Sequence, residues 1–340
     1  MLKSSKICTS AHSSFFILYP SFSMPYVHYH SFKPSGRHYC HAPAKAVLQA
    51  TDSLVIQVHA AAINHVDYKH RQWFGVVGVD VAGVVTQVSP DVTAFGVGDR
   101  VFGTTAGALA DHAVCKASEM AALPATLTFV HGAALPIAYL AAYQALTNYG
   151  FAAGMRVLVI GASGGCGSAA VQLAKALGAV EVVGVCSQKN QEFVKSLGAD
   201  NVLDYETQPL TADGRYERYF DFVLDTATGN GDTNYLEPAK AVLKDPAMHH
   251  VTLNDPTPSQ WLRRLTGVPR PEAAALLVTQ HNKRDLDAIV ELLDRTKQVP
   301  AIDSIVPFTE AGVEAAFAKL QSRRARGRVV IDVSGAGAHP

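Results

Sequence analysis

Three glycines with chemical consequence fall in one run, Val157-Leu-Val-Ile-Gly161-Ala162-Ser163-Gly164-Gly165-Cys166-Gly167-Ser-Ala-Ala-Val-Gln-Leu173. An apolar strand leads into a glycine-rich turn, and the turn opens an apolar helix. Glycines at 161, 164 and 167 permit a tight turn, close backbone approach to a diphosphate and close helix–strand contact. The helix amino terminus adds unpaired N–H groups and a partial positive charge. A second strand follows about 20 residues later, which is the context a dinucleotide site requires. That strand ends Cys186-Ser187-Gln188-Lys189-Asn190 without the Asp or Glu that would bind free ribose hydroxyls. Ser187 donates a hydrogen bond and Lys189 brings positive charge, a pair suited to a 2′-phosphate. The spacing therefore predicts NADP(H) rather than NAD(H).

These groups need a parallel sheet to position them. The sequence predicts strands at 156–160, 181–185, 201–203 and 220–224, with helices at 168–177 and 191–197 between them. This alternation implies a parallel sheet covered on both faces. Asp225 and Thr226 end a central strand, where open parallel sheets bind ligands, and Thr252 and Leu253 hold the same place one strand later. Upstream, residues 24–130 read as short strands, among them 53–59, 79–88 and 100–102. Apolar spacing over 133–146 predicts one long helix. Further helices are expected at 285–296 and 308–321, then a last strand at 328–333.

A chain of 340 residues suggests about two domains, and 48% hydrophobic with 17% charged residues excludes a mostly disordered chain. Basic and acidic residues balance at 29 each, which gives no support for a global nucleic-acid binder. No apolar stretch is long enough to span a bilayer. Five cysteines without a CxxC pair, Cys8, Cys40, Cys115, Cys166 and Cys186, read as reduced thiols. The balance of charge conceals an asymmetry: residues 1–51 carry five Lys or Arg and no acid, leaving 24 basic against 29 acidic groups in the remainder. Residues 1–23 are Ser-rich and read as an extension, disordered or targeting. A cytoplasmic protein is expected, or a mitochondrial one if this segment is a transit peptide.

The chain resembles the zinc-free quinone oxidoreductase branch of the medium-chain dehydrogenases/reductases. The resemblance rests on VHAAAINHVDYK (58–69), GVDVAGVV (78–85), GVGDRVFG (96–103), AALPIAYLAAYQAL (133–146), the glycine run, SLGADNVLDY (196–205), FDFVLDTATG (220–229) and RGRVVIDV (326–333). It implies an α/β fold of two domains: a GroES-like β-rich substrate domain from 24–130 and 300–340, and a Rossmann doubly wound domain from 131–299. It implies that Gly161 to Gly167, Ser163 and Cys166 included, hold the diphosphate. It further implies that Ser187, Lys189 and Tyr205 bind the 2′-phosphate, that Asn64 faces nicotinamide and substrate, and that the chain forms a homodimer through a segment near 242–251.

Zinc-dependent relatives place a Cys where Asn64 stands and a His-Glu pair where Val79 and Asp80 stand, and they carry a four-cysteine lobe absent here. No metal site is therefore expected. The expected reaction is NADPH-dependent hydride transfer to quinones or other α,β-unsaturated carbonyls. Asn64, Tyr68 and Lys69 are the candidates to donate a hydrogen bond or relay a proton. Asp67 reads as a structural cap or salt-bridge partner, and Cys166 as a small packing residue. Trp73 and Phe74, in a loop shorter than the family's, are equally suited to pocket wall and core. Two other functions compete: a trans-acting enoyl reductase, and an NADPH-binding regulatory protein with little turnover.

Overall fold

The fold is described from a computed structural model covering residues 48, 51–69, 78–227, 235–245, 249–253 and 275–335. The extension at 1–23 and the loop holding Trp73 and Phe74 lie outside the described residues. Strand β1 (Ser53–Ile63) organises the first sheet. Its amino-terminal half pairs with β4 (His112–Lys116), its carboxy-terminal half with β13 (Arg328–Asp332), and nearly its whole length with β2 (Asp80–Val88). Register shifts at Val55/Ile56 and Val58/Ala60 let one strand serve these partners. With β3 (Arg100–Thr104), β5 (Met120–Ala122) and β12 (Ile302–Pro307) the sheet has seven strands, ordered β12-β13-β1-β2-β3-β5 with β4 on β1. The last stretch of the chain thus returns to complete a sheet begun 250 positions earlier.

The second sheet has six parallel strands, ordered β11 (Ala275–Leu276), β10 (His250–Thr252), β9 (Phe222–Asp225), β6 (Arg156–Ile160), β7 (Glu181–Cys186) and β8 (Asn201–Asp204). Chain order runs outward from β6 to β8, then restarts on the other side at β9. The switch point between β6 and β9 is where doubly wound sheets leave a crevice for ligand. Strand alternation sorts the two faces. Val157, Val159, Phe222 and Leu224 join one core with α3 (Pro136–Asn148), α4 (Gly165–Ala176), α5 (Gln191–Ser196) and α7 (Lys283–Thr296). Leu158, Ile160 and Val223 face another with α6 (Leu236–Val242). Strand β10 has β9 on one edge and β11 on the other.

The long helix expected over 133–146 is two. Helix α2 (Phe129–Ala134) stops at Leu135, and α3 starts at Pro136. Proline has no N–H to continue the ladder and is well placed at a first helical position. A reciprocal capping box between Thr128 and His131 opens α2. Helix α2 packs against β1, β2 and β3 of the seven-stranded sheet, whereas α3 packs against α4. The sequence boundary at 130/131 falls inside α2. Helix α4 begins at Gly165, three residues before the apolar periodicity, because the glycine turn itself forms its first turn.

Candidate cofactor and active site

A cleft of about 590 Å³ runs between the two sheets, over the glycine turn. The turn is locked by its own backbone. Gly161 has φ +80, its N–H and that of Ala162 both donate to Val185 O at 3.0 Å, and Gly164 N–H donates to Gly161 O at 3.0 Å. Thr226 Oγ1 donates to Ile160 O at 2.8 Å, and a Cβ at Gly161 would stand 2.5 Å from that hydroxyl oxygen. A Cβ at Gly167 would overlap the Gly161 carbonyl. These two glycines serve turn and helix packing; Gly164 leaves room above the helix amino terminus, and Gly165 lies against the Arg328 side chain at the cleft. Ala162 is fully buried and sits beneath Gly184. Ser163 faces the cleft, its hydroxyl accepting from Asn190 Nδ2 at 3.1 Å. Cys166 also lines it, and burial raises its thiol above the ordinary range.

One end of the cleft is built on the junction of β1, β2 and β13. Asn64 ends β1 and leads into the short helix α1 (His65–Lys69). Its side-chain Oδ1 accepts from Arg328 Nη1 at 2.8 Å, and its Nδ2 donates to Asp80 Oδ2 at 3.0 Å. Arg328 Nη2 donates to the same Asp80 oxygen at 2.5 Å. The other Asp80 oxygen accepts from Ile137 N–H at 3.0 Å, at the start of α3. All three side chains are buried, Asp80 completely. Burial pushes the Asp80 carboxyl up, and Arg328, Asn64 and Ile137 pull it back toward the charged form. Arg328 Nε is buried, has no partner among the described residues and belongs to the cleft wall.

Asp67 braces this end. Its carboxylate accepts from Asn64 N–H at 2.7 Å and Gly78 N–H at 3.1 Å, closing the base of the excursion between them. Burial pushes its carboxyl up to about 6, against the opposing pull of those N–H groups. The cap expected of Asp67 is the arrangement found. Tyr68 and Lys69 close α1, and their side chains lie outside the described residues.

At the other end Ser187, Lys189 and Tyr205 line the cleft, with Lys189 and Tyr205 exposed. Thr226 and Leu253 line its floor. Asp225 is buried, its Oδ1 accepting from Ala227 N–H at 2.8 Å, and Thr252 lies within β10; neither is among the residues bordering the cleft. Residue-type reasoning missed Asp80 and Arg328 as members of the site. Their signal was a lone carboxylate in GVDVAGVV and a lone guanidinium opening the apolar run RVVID, each of which needs a partner once buried.

The two halves match two family models. One described as an alcohol dehydrogenase GroES-like domain matches residues 50–144, and one described as a zinc-binding dehydrogenase matches 197–331. A chloroplastic quinone-oxidoreductase homolog from Spinacia oleracea is 32% identical over 310 residues, covering 83% of this chain and 90% of that protein. A chloroplastic NADPH-dependent alkenal/one oxidoreductase from Arabidopsis thaliana is 30% identical over 301 residues, covering 82% and 72%. Among solved structures, the quinone oxidoreductase from Coxiella burnetii superposes with a TM-score of 0.70 at 26% identity, covering 83% of this chain and 90% of that one. With a GroES-like sheet, a Rossmann sheet and the glycine turn between them, the chain belongs to the quinone oxidoreductase-like branch of the medium-chain dehydrogenase/reductase superfamily.

Proposed function

We propose that the protein is a reductase that transfers hydride from NADPH to quinones or other α,β-unsaturated carbonyls, without zinc. The cofactor is NADP(H). Its fit to the chain rests on the room left over Gly164, the open end of α4, and the orphaned Arg328 Nε beside that turn. Ser187, Lys189 and Tyr205 would hold the 2′-phosphate. The bound nicotinamide supplies the hydride; the protein binds, orients and excludes water.

The observation that carries the reading is the fixed amide of Asn64. Arg328 occupies its oxygen, so its NH2 group faces Asp80 and spends one N–H there. The second N–H remains for an oxygen in the cleft. A carbonyl conjugated to a double bond spreads the charge left by hydride addition, so one or two preorganised donors suffice. Tyr68 and Lys69, one turn further along α1, are the proposed sources of the proton. The zinc-free reading is supported by the residues at these positions. The Asn64 amide is engaged by Arg328 and Asp80, Val79 carries no ligand atom, and no group of three His, Cys, Asp or Glu suited to a metal occurs among the described residues.

The test is NADPH oxidation against a panel of quinones, enones and enoyl thioesters. Turnover of the first two supports the proposal. Thioesters as the best substrates would identify an enoyl reductase. Tight NADPH binding without turnover on any acceptor would point to a regulatory protein. Activity should survive chelation, and one zinc per purified chain would refute the metal-free reading.

A further inference from the structure

Three cysteines lie among the described residues, and one of them differs from the other two. Cys115 and Cys186 are buried, and burial pushes their thiols up to about 12 and about 11. Cys186 also donates to Ser187 O at 3.4 Å. Cys166 is partly exposed and lines the cleft. It stands in the first turn of α4, one residue after Gly165. Its sulfur has no hydrogen bond among the described residues.

A thiol alone would be a packing group, but a second group borders the cleft beside it. Arg328 lies over the same turn, with Cδ 3.1 Å from the place a Cβ on Gly165 would take. Arg328 is only 5% exposed. Its Nη1 is spent on Asn64 and its Nη2 on Asp80, while Nε has no partner among the described residues. A buried N–H without an acceptor costs free energy unless a ligand oxygen enters to take it. Arg328 also acts on the sulfur. Burial raises the Cys166 thiol, Arg328 opposes this by favouring the thiolate, and Asp80 adds a smaller push upward. A nucleophilic sulfur and an N–H seeking an oxygen thus share one stretch of cleft wall. The acceptors of the proposed reaction, α,β-unsaturated carbonyls, carry partners for both: a β-carbon that thiolates attack and a carbonyl oxygen.

We infer that Cys166 is a covalent modification site for α,β-unsaturated carbonyls, open in the cofactor-free protein and covered when cofactor lies over the glycine turn. The thiol gives its proton to water and the thiolate attacks the β-carbon. An S–C bond forms as the C=C π pair shifts toward the carbonyl oxygen, and Arg328 Nε–H holds the resulting enolate oxygen. The α-carbon then takes one proton from water. The addition is redox-neutral and releases no leaving group. The adduct fills the room over Gly164 that the diphosphate needs, so the modified chain no longer takes up NADPH. The protein is thereby shut off when acceptor is plentiful and NADPH scarce. The inference rests on the proposed acceptor class and cofactor placement.

The experiment incubates the purified full chain with methyl vinyl ketone and maps adducts on all five cysteines by peptide mass spectrometry. NADP+ serves as the protecting ligand, because it covers the turn without consuming the ketone. An adduct should form at Cys166, saturating NADP+ should slow it at least tenfold, and the modified chain should lose NADPH binding in calorimetry. Cys166→Val should bind NADPH equally well before and after the same treatment. Arg328→Lys, which keeps the charge and removes Nε–H, should form the Cys166 adduct at least threefold more slowly. Should either variant fold poorly by its thermal midpoint, the wild-type protection measurement decides. A Cys166 adduct that forms equally fast with NADP+, or loss of NADPH binding with Cys166 unmodified, would overturn the inference. NADPH turnover on enones by a chain whose Cys166 never reacts would overturn it too and leave the reductase reading standing. An NADP+-sensitive adduct in a chain that turns over no acceptor would uphold the site and overturn the reductase reading.

Discussion

At the scale of single residues, the site is governed by what burial does to charge. Asp80 and Arg328 are too deep to be left alone, and Asn64 is held because both of them bond to it. Removing one member of such a pair strands the other. Asp80→Asn should destabilise the fold by about 3–5 kcal/mol in urea titration, whereas Asp80→Asn combined with Arg328→Met should recover part of the loss. Equal destabilisation by single and double variants would show that the pair is not energetically linked. Asn64→Ala should lower kcat with a quinone by about tenfold or more while NADPH affinity holds, as expected for a donor used in the transition state. Asp67 titrates from 3.8 unfolded to about 6 folded. The folded state holds the extra proton between those values, so this group's favourable contribution is present below about pH 4 and is lost as pH rises through 6. Urea titrations at pH 4.5 and 7 should show that decline in the wild type and its absence in Asp67→Asn; parallel declines would refute it. The glycine run and the place of Lys189 beside the cleft were legible in sequence because each follows from a few adjacent positions. The Asp80–Arg328 pair was not, because 248 positions separate its members and only the closure of β13 onto β1 brings them together.

At the scale of elements, the same distinction separates what periodicity reveals from what it hides. The buried parallel strands announced themselves as apolar runs between glycine-rich turns. Strands β4 and β12 alternate on a partly exposed surface, and β5 has only three residues, so none stood out. Helix periodicity likewise ran through Pro136 without marking the break, since both helices bury apolar faces against neighbouring sheets. In the proposed function the glycine turn is the element that holds the cofactor. Gly167→Ala should push α4 away from Gly161 O, weaken NADPH binding at least tenfold and cost about 1–3 kcal/mol of stability. Thr309→Ala, which removes the side chain accepting from Gly312 N–H at 3.1 Å, is the matched control. It should cost about 1 kcal/mol without changing cofactor affinity. If both variants lose affinity alike, the turn's geometry is not what binds the cofactor.

At the scale of the whole molecule, the two sheets share one apolar core. Ala60, Ala82 and Phe102 of the first sheet join the same buried cluster as Tyr139, Val157 and Val159 beside the second. Arg328 reaches from β13 to the glycine turn, and Gly327 N–H bonds to Ser163 O across the cleft. Tyr139 adds a hydroxyl bond to Gln172, and Gln172 Nε2 donates to Val299 O at 2.9 Å on the return to the substrate domain. The body outside residues 1–51 carries more acidic than basic groups, so attraction for an anionic cofactor is local to the cleft rather than a property of the net charge. A core shared by both sheets is expected to make the domains unfold as one unit. Heating should give a single transition, and NADPH at 100 times its dissociation constant should add about 2.7 kcal/mol of stability to it. Two transitions, with only one shifted by NADPH, would mean that the cofactor is held by one domain and that the cleft opens without disturbing its grip.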